Sequence, residues 1–119
     1  MKFFMVLHPD PNSTAINGPS DEFMQKMGAW VGPQMASGKV IATGAWEPAQ
    51  QATVVGPVSG KAAIVDGPYT EAKELVGGFV LVHEESREAA IAGAEEFVQF
   101  HLDNWPGWSG WSEVRQVYE

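Results

Sequence analysis

The stretch Val65-Asp66-Gly67-Pro68-Tyr69-Thr70 separates two apolar runs and decides how the chain is folded. The first run ends at a carboxylate, the Gly-Pro pair forces a turn, and a second run at 79–82 begins after two glycines. The stretch therefore predicts a strand, a corner and another strand. Asp66 lies at the strand end, where ligand-handling side chains are often held. Asp before Gly and Pro also caps turns by accepting backbone hydrogen bonds, so both interpretations of Asp66 stay open.

Two segments outside this corner have the pattern of amphipathic helices, and each follows a serine that is a favourable N-cap. After Ser20, apolar residues recur at spacings of three and four as far as Val31. Gly32-Pro33 is then expected to kink or break the helix, because proline lacks a backbone donor. After Ser86 a second helix is predicted with one apolar stripe, in which His101 is interpreted as a core histidine. The residues of this stripe are Ala90, Ile91, Ala94, Phe97, Val98, His101 and Leu102.

The other apolar runs predict strands. Residues 2–7 and 79–82 are apolar on both faces, and residues 53–55 and 61–65 flank a glycine-containing turn at 56–60, which predicts a hairpin. Further strands are predicted at 40–45 and 111–118. The order predicts an α+β fold of the ferredoxin-like, split βαβ kind, in which two helices cover one face of an antiparallel sheet. Because the other face would be left apolar and wet, we expect a homodimer with the sheets face to face.

Composition limits the class of protein. A chain of 119 residues predicts a single domain, 1–119, and 45% hydrophobic with 18% charged residues is typical of a soluble globular protein. The apolar runs are too short to span a bilayer, and the N-terminus has no signal-peptide pattern, so we expect a cytoplasmic protein. The net charge of −8 opposes binding to nucleic acid or to anionic membranes. The absence of cysteine excludes disulfides and thiolate metal sites.

His8 is the sharpest candidate for acid/base chemistry. It ends the first predicted strand, and a carboxylate at the end of a paired strand, such as Asp66, would orient it as a general base. The alternative is a solvated loop histidine. His8 and Asp10 offer only two metal ligands, and no third follows from the spacing, so no metal site is predicted. No nucleotide fingerprint or serine-nucleophile motif is present, and no cofactor is expected.

Aromatic residues are abundant for a small domain. Five Trp, two Tyr and six Phe supply area both for a core and for a pocket that takes flat apolar ligands. Trp46 and Tyr69 follow predicted strands and are candidate substrate-binding residues. For both residues, and for the loop residues Trp105 and Trp108, a contact in the pocket or the dimer and packing in the core are equally good explanations.

The corner Asp66-Gly67-Pro68-Tyr69, together with segments 73–79 and 110–117, resembles the YCII-related proteins. The most similar branch is named for an Asp-Gly-Pro-Phe motif, in which Tyr69 replaces the usual Phe. The resemblance implies a dimeric α+β barrel with a pocket between each sheet and its helices. A related protein is a dehydrochlorinase of chlorinated aromatic diols, and some members are proposed to use a His–Asp pair. Asp66 matches the motif, whereas no histidine is fixed by it.

Three functions remain open from the sequence. The first is a cofactor-independent enzyme of lyase, isomerase or dehydratase type that acts on a small apolar or aromatic molecule. Its catalytic residues would be His8 and Asp66, with Tyr69 orienting the substrate. The second is a non-catalytic, dimeric small-molecule-binding or accessory module. The third is a purely structural dimer, whose pocket would be filled by its own side chains.

Overall fold

The computed structural model describes residues 1–10, 13, 18–46, 52–66 and 77–119, with Asp66 described only through its backbone. These residues form strands and helices in the predicted order. Their bounds are β1 Lys2–Pro9, α1 Asp21–Ala36, β2 Val40–Trp46, β3 Val54–Val58, β4 Lys61–Asp66, β5 Gly77–His83, α2 Arg87–Asn104 and β6 Gly110–Val117.

Four strands form one antiparallel sheet in the order β2-β5-β1-β6. With each helix connecting two of these strands, this is the split βαβ arrangement, and the predicted ferredoxin-like α+β fold is confirmed. Among the described strands, β3 and β4 pair with each other and with no other strand, and they form a hairpin inserted between β2 and β5. The corner at 67–70 lies outside the described residues.

The core lies between the sheet and the helices. Alternation along β1 buries Phe3, Met5 and Leu7, and these side chains pack with residues of both helices in one cluster. That cluster also includes Val31 of α1 and Phe97 of α2. Both helices therefore cover the same sheet face, as predicted. The side chains of β1 that alternate with the core point to the opposite face, which no described helix covers and which is here called the open face.

Helix α1 begins where the sequence predicts but continues further. The Ser20 hydroxyl accepts a hydrogen bond from the backbone N–H of Phe23 at 3.1 Å, as an N-cap does. Of the two outcomes predicted at Gly32-Pro33, a kink or a break, the break is wrong, because the helix runs through to Ala36. Proline this close to a helix end removes only one backbone hydrogen bond, and the last turn closes through Ser37 N–H, which donates to the Pro33 carbonyl at 3.0 Å.

The hairpin turn is shorter than predicted. Residues 56–58, which were expected to belong to the turn, are part of β3. The turn consists of Ser59 and Gly60, with φ angles of 52° and 80°. Two successive residues with positive φ give the twist of tight two-residue hairpins, and glycine tolerates this conformation.

Helix α2 buries a narrower stripe than predicted. Its Ser86 cap is confirmed, since the hydroxyl accepts from Ala89 N–H at 3.1 Å. Ile91 and Leu102, both expected in the stripe, are 42% and 49% exposed. Each follows a fully buried residue by one position, which places it about 100° further round the helix and off the sheet. The buried residues of the stripe are Ala90, Ala94, Phe97 and His101.

Candidate ligand site

A cavity of about 300 Å³ lies between the helices and the covered face of the sheet. Its walls come from both helices and its floor from the sheet, so it lies where the family resemblance implied a pocket. The described residues that line it are Leu7, Pro19, Phe23, Met24, Met27, Thr43, Gly44, Ala45, Gly77, Gly78, Phe97, His101 and Trp105.

Small residues at one end of the sheet leave the space open. Gly78 pairs with both Leu7 and Ala45, and Leu7 points toward the helices, so Gly78 lies where a larger side chain would enter the cavity. A Cβ at Gly78 would lie 3.0 Å from the backbone oxygen of Gly44, a tight contact, so the close approach of β2 and β5 also favours glycine. The floor thus contains three glycines and an alanine, and aromatic rings form part of the walls.

His101 is the buried titratable group of this cavity. Its side chain is among aromatic rings, with centroids 4.8 Å from Phe97, 4.9 Å from Trp108 and 5.2 Å from Phe23. The residue is only 4% exposed, and its Nδ1 lies 2.9 Å from the Phe97 carbonyl oxygen. Burial lowers the pKa of His101, and the backbone hydrogen bond to Phe97 opposes this shift only in part. The ring is therefore neutral at pH 7.

Trp108 packs beside His101 with its polar atom buried. Within the described part of the chain, its indole Nε1 has no hydrogen-bond partner. Gly110 allows this packing, because a Cβ at that position would lie 2.7 Å from Cζ2 of the indole. The loop tryptophan is therefore a core residue in this structure, which was one of the two interpretations of its position.

His8 lies on the opposite, open face of the sheet. Its Nε2 is 3.2 Å from Oε1 of Glu113, and its ring stacks on Trp111 with centroids 5.6 Å apart. Arg115 donates from Nε to the other oxygen of Glu113 at 2.7 Å. The hydrogen bond from Arg115, followed by that from His8, holds the pKa of the Glu113 carboxyl below its usual value. His8 is thus paired with a carboxylate that the sequence pattern does not predict as its partner.

The sheet separates two of the predicted site residues, His8 and Trp46, from the cavity. His8 follows Leu7, and because side chains alternate along β1, only Leu7 faces the cavity. Trp46 stacks on Phe79 of the open face with centroids 6.1 Å apart. The backbone of Asp66 pairs with Val54, but its side chain, like all of Tyr69, lies outside the described residues. The proposed pairing of His8 with Asp66 therefore stays a prediction.

The structure gives two polar residues, His101 and Glu113, neighbours that the sequence does not predict. His101 was interpreted as a core histidine, and its burial confirms this, but it also lines the cavity. The signal in the sequence was a titratable residue on an otherwise apolar helical stripe. Glu113 gave no comparable signal, because its neighbour His8 is 105 positions away in the sequence.

The described residues contain neither a cluster of metal ligands nor a helix suited to span a membrane. In the described ranges, no three His, Asp or Glu side chains are grouped as they would be around a metal ion. None of the described helices has the length and hydropathy needed to cross a membrane.

The family model of the YCII-related domain matches residues 1–99. No curated protein matches the chain.

Proposed function

The chain belongs to the YCII-related family, and from that premise we propose that it is a homodimeric protein that binds a small apolar or aromatic molecule in the cavity beneath its helices. The observation that carries this proposal is the cavity itself. Its volume of about 300 Å³ is at the small end of the range found for ligand pockets. A structural dimer, by contrast, would be expected to fill this space with its own side chains.

The lining supports an apolar or aromatic ligand. Phe23, Phe97 and Trp105 contribute flat rings, and Met24 and Met27 contribute side chains that adapt to different shapes. None of the described lining residues carries a formal charge when His101 is neutral. A small aromatic molecule would bury most of its surface here, which favours binding through the hydrophobic effect.

Toluene is a suitable probe of the cavity. Titration followed by amide NMR should give saturable shifts at residues around Phe97 and Gly78. Ala45→Leu adds three carbon atoms at the lining and should weaken toluene binding about tenfold or more, because the added volume overlaps the ligand. Ala92→Leu adds the same atoms on the exposed side of α2 and is the matched control. Equal binding by the two variants, or no saturable binding to the wild type, would contradict a ligand site at this cavity.

A second copy of the chain is the proposed partner of the open sheet face. Apolar side chains of β1 and β5 on this face are only partly buried, and the helices lie on the other side. The patch extends outward through Trp46 and Trp111, which are 39% and 51% exposed. Because a two-fold axis would place this patch against itself, a symmetric dimer would cover it without a further partner. The side chains of the patch on β1 and β5 are Phe4, Val6, Phe79 and Leu81.

An enzyme of lyase, isomerase or dehydratase type is the second candidate. The observation that favours it is the hydrogen bond between His8 and Glu113, since a carboxylate partner fixes the orientation of an imidazole that transfers protons. In the proposed dimer this pair would lie inside the barrel, sheltered from bulk water. Asp66, at the end of β4, matches the family motif and would be the carboxylate of a His–Asp pair, and Tyr69 and Trp46 would contact the substrate.

Four variants test the enzyme hypothesis. Small hydroxylated or halogenated aromatic compounds would be screened for elimination or isomerisation by mass spectrometry. With any compound that is converted, His8→Gln and Asp66→Asn should lower kcat at least about 100-fold if both residues transfer protons. Trp46→Phe should mainly raise KM. Normal turnover by Asp66→Asn would show that Asp66 has no part in the mechanism. If Glu113→Gln loses turnover while Asp66→Asn keeps it, Glu113 is the carboxylate that assists His8.

A further inference from the structure

We propose that His101 is the polar recognition group of the cavity and that its Nε2 accepts a hydrogen bond from a neutral ligand carrying a hydroxyl or N–H donor. This inference rests on the proposed ligand cavity and adds the chemical class of the ligand. The sheet-face pair of His8 and Glu113 has no part in it.

The tautomer of His101 follows from its backbone contact. A carbonyl oxygen can only accept, so the 2.9 Å contact with Phe97 requires the proton on Nδ1. A neutral imidazole has a single N–H, which leaves Nε2 with a lone pair. The lowered pKa keeps this form at neutral pH. Helix α2 thus fixes both the orientation of the ring and its role as an acceptor.

No described residue occupies this acceptor. The ring makes one hydrogen bond within the described ranges, through Nδ1. The neighbouring Trp108 has an indole N–H, but that N–H makes no hydrogen bond to Nε2. Thr43, the hydroxyl residue of the lining, donates to the Phe79 carbonyl at 2.9 Å, so its proton is also committed elsewhere. An acceptor on a ring that is 4% exposed and lines an apolar cavity is satisfied best by a ligand donor.

The lining also argues against a charged ligand. A cation would find aromatic faces but no carboxylate among the described lining residues, and an anion would find no cationic side chain. Transfer of an unpaired charge into such surroundings is strongly unfavourable. Desolvation of a neutral aromatic ligand with one hydroxyl or one N–H costs far less than desolvation of a charged ligand. A hydrogen bond from that donor to Nε2 of His101 compensates this smaller cost.

Phenol and toluene have nearly the same shape and differ in the donor. We would measure the dissociation constants of both probes by NMR titration, with wild type and with His101→Leu. The ratio of the toluene constant to the phenol constant should fall about tenfold or more in the variant, since phenol then loses its acceptor. Ala92→Leu should leave the ratio unchanged. If both probes bind saturably and the ratio is the same in wild type and variant, the role of His101 is overturned but the ligand cavity is not. If neither phenol nor toluene binds to the wild type, the ligand cavity is overturned as well.

A measurement on the wild type does not depend on the folding of the variant. The imidazole ¹⁵N signals of His101 should show a protonated Nδ1 and an unprotonated Nε2 at pH 7. Phenol should shift the Nε2 signal toward that of a hydrogen-bonded nitrogen, and toluene should not. A proton on Nε2 in the free protein, or an Nε2 signal unaffected by saturating phenol, would overturn the proposal.

Discussion

Replacing Trp111 with glutamate tests the proposed dimer at a position where the fold of the single chain is little affected. Trp111 lies on the open face of β6, stacks on His8 and is 51% exposed. A tryptophan offers up to about 250 Å² of surface, so about 125 Å² remains for a partner to cover. At about 25 cal/mol per Å² this is about 3 kcal/mol for each subunit.

A two-fold interface contains this residue twice, so the substitution should cost about 6 kcal/mol of dimerisation free energy. That corresponds to an increase of about four orders of magnitude in Kd. Wild type should sediment with twice the 12.9 kDa mass of one chain at micromolar concentration, and Trp111→Glu with the mass of one chain. Analytical ultracentrifugation over a concentration series gives both Kd values, and circular dichroism checks that the fold is kept.

Leu102→Glu is the matched control. Leu102 is 49% exposed, but it lies on α2, away from the open sheet face. Its substitution introduces the same charge and should leave Kd unchanged. A wild-type protein with the mass of one chain at micromolar concentration would refute the dimer. A Trp111→Glu protein that dimerises like wild type would refute the assignment of the interface to this face.

Further expectations concern stability and ionisation. Because burial lowers the pKa of His101, the unfolded chain, with a value near 6.5, takes up the proton first as pH falls. Wild type should thus lose stability to urea as pH falls below about 6.5, and His101→Leu should lose less over the same window. Arg115→Met should raise the pKa of the Glu113 carboxyl, measured by ¹³C NMR; an unchanged value would show that Arg115 does not stabilise the carboxylate. Ser20→Ala should reduce the free energy of unfolding by about 1 kcal/mol, measured by urea titration, and no reduction would mean that the cap of α1 is dispensable.

Features that depend on neighbours in the sequence could be predicted from it. The predicted starts of α1 and α2 at Ser20 and Ser86 are confirmed by their hydrogen bonds. They could be predicted because an N-cap residue bonds to a residue only three positions away. The order of elements then limits the fold to a split βαβ sheet with both helices on one face. The errors were local as well. They concern Pro33, whose single lost hydrogen bond the end of α1 tolerates, and the hairpin turn, which Ser59 and Gly60 make without residues 56–58.

The neighbours that matter for function were decided by the tertiary structure. A period of two places His8 on one face of β1, but only the register with β6 brings Glu113 to its ring, across 105 positions of sequence. Likewise, the helical stripe predicts that His101 is buried, but not that it lines a cavity floored by Gly78 of β5. Periodicity fixes the direction of a side chain relative to its own element. The distances between elements depend on strand register and helix packing, and these are set by the whole core at once.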